Sequence, residues 1–167
     1  MEHWEPILAY ASAVATVVAY FITRNRESQW KRTEFLFQLG QYLDTDPAIQ
    51  SAVLILEGRN PAVGMADVFG ETSTLSKQER GRKQQDIDAL LNFLERIAHA
   101  VYTLKTLSLD EVLCFGWYLL KVRDTELLAG YCSSNGFEDV LKLAGDVDAL
   151  LNERQMADPA ASETSRR

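Results

Sequence analysis

The stretch from Ile7 to Thr23, ILAYASAVATVVAYFIT, holds no charged residue, and it constrains everything the chain can fold into. A helix rises ~1.5 Å per residue, so the run covers roughly 26 Å of a hydrocarbon core about 30 Å thick. The flanks extend it. Trp4 and Tyr20 stand near its ends, where amphipathic rings favour the headgroup level, and Pro6 suits a first helical turn. Residues 1–23 therefore read as a transmembrane helix. A secretory signal would need a basic start, yet the first residues offer Glu2, His3 and Glu5, and the small-residue sites from Ala9 to Ala13 fall inside the apolar run.

Charge sets the expected orientation. Arg24, Arg26, Lys31 and Arg32 follow the run against a single acid, Glu27, while no Lys or Arg precedes it. The positive-inside rule places the short N-terminus outside and the remainder in the cytoplasm. Arg24, Arg26, Trp30, Lys31 and Arg32 are the expected contacts with lipid headgroups, Trp30 lying just inside the inner headgroup layer. Within the run, Ala11, Ala15 and Ala19 recur every four residues, a spacing that lets two membrane helices approach closely and makes a homo-oligomer conceivable.

The 167 residues of the chain suffice for one domain with a core of its own besides the anchor and a tail, and 47% hydrophobic against 25% charged residues is ordinary for a folded chain. The net charge of −7 is unevenly placed: residues 110–153 hold nine acids against three bases. Such a surface is repelled by anionic lipid and disfavours nucleic acid as a partner. The two cysteines, Cys114 and Cys132, form no CxxC pair, so no zinc or thioredoxin-like motif is present. Both are expected to be reduced in a cytoplasmic domain, and the flanking Leu113 and Phe115 place Cys114 among buried apolar side chains.

The fold class that follows is all-α: a single N-terminal transmembrane helix and a cytoplasmic bundle of about five helices. Residues 24–58 read as a helical hairpin, its first helix striped by Trp30, Phe35, Leu36, Leu39, Tyr42 and Leu43 and continuous with the anchor. Asp46-Pro47 opens its second helix, which Glu57-Gly58 closes. Residues 59–75, with Pro61, Gly64 and Gly70, read as a surface loop from which Met65, Val68, Phe69 and Leu75 can tuck onto a core. Residues 76–153 read as a three-helix core. Ser76 with Glu79 and Ser108 with Glu111 are capping boxes that open the first two helices, and the third starts after Ser134-Asn135-Gly136. In the first, Lys77, Arg80, Arg82 and Lys83 precede a strong stripe from Ile87 to Leu104 and suggest a solvated overhang. In the second, VLCFGWYLLKV is apolar nearly all round, which places it at the centre of the bundle, with Gly116 permitting a close helix contact. Residues 154–167 read as a disordered tail.

Chemistry is sparse. Glu95 and His99, one turn apart, with Asp88 and Asn92 on the same side, form the best polar constellation. A di-iron bundle would need Glu-x-x-His on two helices, and none occurs. No P-loop, GxGxxG, GxSxG or HExxH is found either, so no catalytic, cofactor or metal residues are assigned. The run LNFLERIAHAV from Leu91, SLDEVLCFGWYLLKV from Ser108 and the helix after Asn135-Gly136-Phe137 together resemble the core of an uncharacterised bacterial family. Its members join one N-terminal membrane helix to a small α-helical domain of unknown function. That resemblance covers roughly residues 86–150. It implies the same architecture in a bacterial inner membrane and transfers no activity. The expected role is a binding or scaffolding module recruiting a protein partner to the membrane. The alternatives are a metal-dependent or hydrolytic enzyme using Glu95 and His99, and a toxin or defence effector that oligomerises its membrane helix.

Overall fold

A computed structural model describes residues 4–71 and 73–157; within the first helix, the side chains of residues 4–19, 21, 22, 25, 26 and 28 lie outside the description. The chain is all-helical, with no strand among the described residues. It divides into two compact units, Met1–Gly40 and Gln41–Arg167.

The first unit is built on the helix α1, Trp4–Thr45, which runs without a break through the uncharged stretch and past it. No proline interrupts α1 after Pro6, and continuity with the stretch that follows is what the sequence led one to expect. Among the described residues no helix carries a segment long and apolar enough to cross a membrane. The side chains of Ala11, Ala15, Ala19 and most of the proposed span lie outside the described residues.

In the second unit, α2 (Pro47–Leu56) begins at Asp46, whose carboxylate accepts from the backbone N–H of Ala48 at 2.8 Å and Ile49 at 3.2 Å. Proline at the first position costs α2 no hydrogen bond. The short α3, Met65–Phe69, interrupts what reads in sequence as an irregular loop. Asp67 organises it: its side chain accepts from Gly64 N–H and from the Thr74 hydroxyl, which holds the carboxyl below the usual carboxylate range. Val68 is buried, and Arg80 Nε donates to its carbonyl at 2.7 Å.

The longest element of this unit is α4, Lys77–Tyr102. Ser76 and Glu79 close the expected capping box, the serine hydroxyl accepting from Glu79 N–H and the glutamate accepting from Ser76 N–H at 3.1 Å. Ile87, Leu90, Leu91, Phe93, Leu94, Ile97, Ala98 and Ala100 are buried along α4, which packs on α2, on α3 and on α8. It is this helix, not the one after Ser108, that lies at the centre. At roughly 25 cal/mol per Å² of apolar area, each large side chain on that face contributes about 1.5–3 kcal/mol.

The segment after Ser108 departs from a single helix. Its capping box forms, Ser108 N–H donating to Glu111 at 2.7 Å, but α5 (Leu109–Val112) passes into a 3-10 turn at Leu113–Phe115 before α6 (Gly116–Asp124) resumes. The break turns Phe115 inward, edge-on to Phe93 with centroids 5.6 Å apart, and leaves Cys114 exposed. Cys114 is thus not the buried hydrophobe its neighbours suggested. Trp117 is 48% exposed, so α6 is not covered on all sides. Its inward residues Gly116, Leu119 and Val122 face α8, where a Cβ on Gly116 would stand 3.4 Å from Val147.

Between α6 and the last helix the chain forms α7, Glu126–Asn135, an element the sequence reading did not separate. Thr125 is extended, its hydroxyl donating to the Lys121 carbonyl at 2.8 Å, and Gly136 ends α7 at φ 85°, a left-handed value that favours glycine. Leu128 and Cys132 are fully buried from α7. Finally α8, Glu138–Ala157, buries Val140, Leu143, Ala144 and Val147. Helical structure therefore continues into the segment read as a tail, of which residues 158–167 lie outside the description. Two ion pairs hold α8: Arg123 of α6 with Asp148 at 2.9 Å, and Arg154 with Asp110 of α5. Leu94→Ala, at the middle of the α4 face, is expected to cost about 2–5 kcal/mol of unfolding free energy in urea titration. A loss below 1 kcal/mol would show that α4 is not the helix on which this unit is packed.

Candidate functional site

Three polar constellations interrupt the apolar packing of the second unit, and each is built by a different helix against α4 or α8. The first joins α2 to α4. The Ser51 hydroxyl donates to Asp86 Oδ2 at 2.6 Å, while Lys83 Nζ donates to Ser51 Oγ at 2.8 Å and to Asp86 at 3.2 Å. Lys83 is thereby part of a clasp. With Arg80 held on α3, two of the four basic residues at the start of α4 are tied into the fold, so this turn is no free overhang. The ammonium is paired with a carboxylate, and the serine gives its proton to that carboxylate; a charged lysine cannot serve as the base that a serine nucleophile needs. The arrangement is a cross-link.

The second constellation lies where α3, α4 and α7 meet. Tyr131 packs against Phe69 with centroids 4.6 Å apart and the rings tilted by 42°, accepts from Gln84 at 3.0 Å and donates to Asp88 Oδ1 at 2.8 Å. Burial pushes the Tyr131 hydroxyl up, and the Asp88 carboxylate pushes it further. The neighbouring Cys132 is fully buried; burial first, then the charges of Glu95 and Asp88, push its thiol up to about 12. At neutral pH Cys132 is a protonated thiol with no thiolate character, the opposite of a reactive cysteine.

Glu95 sits beside this cluster. Its Oε2 is buried without a hydrogen-bond partner among the described residues, and burial, aided by Asp139 and Glu138 of α8, pushes the carboxyl above its ordinary range. His99 opposes that shift through its charge, yet the imidazole itself is exposed. The structure therefore brings Glu95 into the influence of His99, Glu138, Asp139 and Cys132, and leaves Asn92 exposed and bonded to the Asp88 carbonyl. Among the described residues no group of three or more His, Cys, Asp or Glu side chains is disposed to hold a metal ion.

The third lies between α4 and α8, where the Tyr102 hydroxyl donates to Asp146 at 2.6 Å and Lys142 Nζ stands 4.0 Å over the Tyr102 ring. Burial and that acceptor push the Tyr102 hydroxyl upward. Sequence reading missed the Ser51, Tyr131 and Tyr102 bridges because their partners lie 32 to 47 residues away. The one available signal was the polar pair Gln50-Ser51, placed between Ile49 and Ala52 on a helix that is otherwise apolar.

In the first unit, Arg24, Trp30, Lys31 and Arg32 are exposed, Trp30 at 72%. Arg24 Nη1 donates to the Tyr20 hydroxyl one turn earlier, at 3.1 Å. The Arg26 side chain lies outside the described residues. No protein-family model, curated protein or solved structure matches the chain.

Glu95 supplies a pH test with a definite sign. Its folded-state carboxyl titrates above the ordinary glutamate range, so the fold gains stability as pH falls through that value, and above it the ionised group costs stability. Glu95→Gln should be more stable than the parent at neutral pH by on the order of 1 kcal/mol or less, since water still reaches part of the side chain. The difference should shrink in acid, where the parent takes up the proton. Parallel thermal melts across that range check it, and a variant less stable at neutral pH would refute it.

Proposed function

We propose that the chain is a single-pass membrane-anchored helical module that recruits a protein partner to the inner face of a bacterial inner membrane. Residues 7–23 are the part dissolved in lipid, the N-terminus lies outside, and the acidic unit from Gln41 onward is the cytoplasmic platform. One observation carries the reading: in the uninterrupted helix α1, the uncharged run gives way at once to exposed Arg24, followed by exposed Trp30, Lys31 and Arg32.

The arrangement of these groups around the helix separates two membrane readings. Successive residues lie ~100° apart, so Trp30, Lys31 and Arg32 sweep roughly 200° of the circumference, with Arg24 on the Lys31 side. By the same register Arg26 falls on the side opposite Arg24. A helix lying in the plane of the interface needs one apolar and one charged face. A collar on all sides suits a helix that pierces the headgroup layer, where every azimuth meets phosphate. The acidic balance of residues 110–153 supports the rest, because repulsion from an anionic leaflet keeps that surface available to a protein. Scaffolding is favoured over catalysis because the polar constellations of the second unit are closed bridges between helices.

Alkaline carbonate washing of membranes from cells expressing the full chain should leave it in the pellet, and a variant lacking residues 1–23 should move to the supernatant. Release of the full chain by carbonate would refute the anchor.

A further inference from the structure

We propose that Tyr20 and Arg24 form a phosphate-binding element that gives the anchor a preference for anionic phospholipid. The inference rests on the membrane-anchor reading and adds to it a lipid class and a positioning residue. Arg24 is the first charge after Thr23, and helical side chains tilt toward the N-terminus, so its guanidinium is drawn back along the axis toward the uncharged run. The hydrogen bond to Tyr20 is the direct sign of this, one turn back at 3.1 Å. The phenol accepts from one of the five guanidinium N–H groups and holds the planar fork at a fixed depth, while the remaining donors match the paired oxygens of a phosphodiester.

Depth argues for the same occupant. Tyr20 marks the level at which amphipathic rings settle between chains and headgroups, so a guanidinium held on its hydroxyl lies at the depth of the lipid phosphates, whereas Trp30 and Lys31 leave the helix roughly 10 Å further along and reach the outer part of the headgroup layer. Lys31 lies only ~20° in azimuth from Arg24, two turns on, so the two cations stack along one face. Glu27 sits beside this face and opposes it, yet residues 24–32 remain positive with four bases against one acid. A zwitterionic headgroup offers the phosphate but cancels the attraction with its own ammonium; a phosphatidylglycerol headgroup does not. Tyr20 acts here through Arg24, as a positioning residue.

The test uses the full chain reconstituted in phosphatidylcholine vesicles, with spin-labelled phosphatidylglycerol or phosphatidylcholine added, and reads the relative association of each probe with the protein. Phosphatidylglycerol should be preferred at low salt. Arg24→Gln should lower that preference roughly fivefold, the loss expected for one basic residue near an anionic surface. Tyr20→Phe should lower it in part without altering the amount of protein in the vesicles, and Arg24→Lys should restore less than the parent because a lysine lacks the fork. Protein that fails to enter the vesicles overturns the anchor itself. Protein that enters and associates equally with both probes leaves the anchor standing and overturns this inference, as does a preference that survives Arg24→Gln unchanged.

Discussion

The apolar face of α4 is the constraint on which the second unit depends. Ile87, Leu90, Leu91, Leu94 and Ile97 recur at three- and four-residue intervals and are all essentially inaccessible to water. Every other helix that packs on α4 does so against this face or its margins, and the polar bridges lie at those margins: Ser51 on Lys83 and Asp86, Tyr131 on Gln84 and Asp88, Asp146 on Tyr102. Apolar burial supplies the attraction between helices. Because it has no direction, the bridges are what select one rotation and one register for α2, α7 and α8.

The same bridges occupy the polar side chains at these helix contacts: Tyr131 is held by Gln84 and Asp88, Lys83 by Ser51 and Asp86, and Tyr102 by Asp146. Cys132 is held as a neutral thiol by burial and by the acids near it. Glu95 alone carries a buried oxygen without a partner among the described residues, and it opposes folding when ionised rather than presenting a nucleophile.

Much of this unit was legible in the sequence because its signals are local. Both capping boxes, the Asp46-Pro47 start and the α4 stripe are patterns within a few residues; the first three form as read, and the stripe is buried from Ile87 to Ala98, while Leu104, read as its end, lies beyond the helix and is exposed. What escaped reading depends on distance or on rotation. The helix α7 carries only Leu128 and Cys132 as fully buried anchors among Ala129, Gly130, Ser133 and Ser134, too few to print a period. The 3-10 turn at Leu113–Phe115 rotates Cys114 outward and Phe115 inward, which no hydrophobic pattern in VLCFGWYLLKV announces. The cysteine expected inside is outside, and the one left unassigned is buried. The polar bridges close over tens of residues and leave no local trace. On α1 the situation is reversed: the uncharged run and its basic flank are wholly a matter of sequence, and the structure adds the exposure of Arg24, Trp30, Lys31 and Arg32 on one continuous helix.

On the anchor proposed above, exposed Trp30 beside two cations is the residue that meets the headgroup layer. The most direct measurement is the depth of Trp30 in lipid vesicles, using the full chain with Trp4 and Trp117 replaced by Phe so that Trp30 alone fluoresces. Emission should be blue-shifted relative to the chain without lipid, and quenched by lipids carrying a spin label on the headgroup more than by lipids brominated near the chain ends. Emission of a fully hydrated indole, untouched by the headgroup label, would contradict the account at its centre.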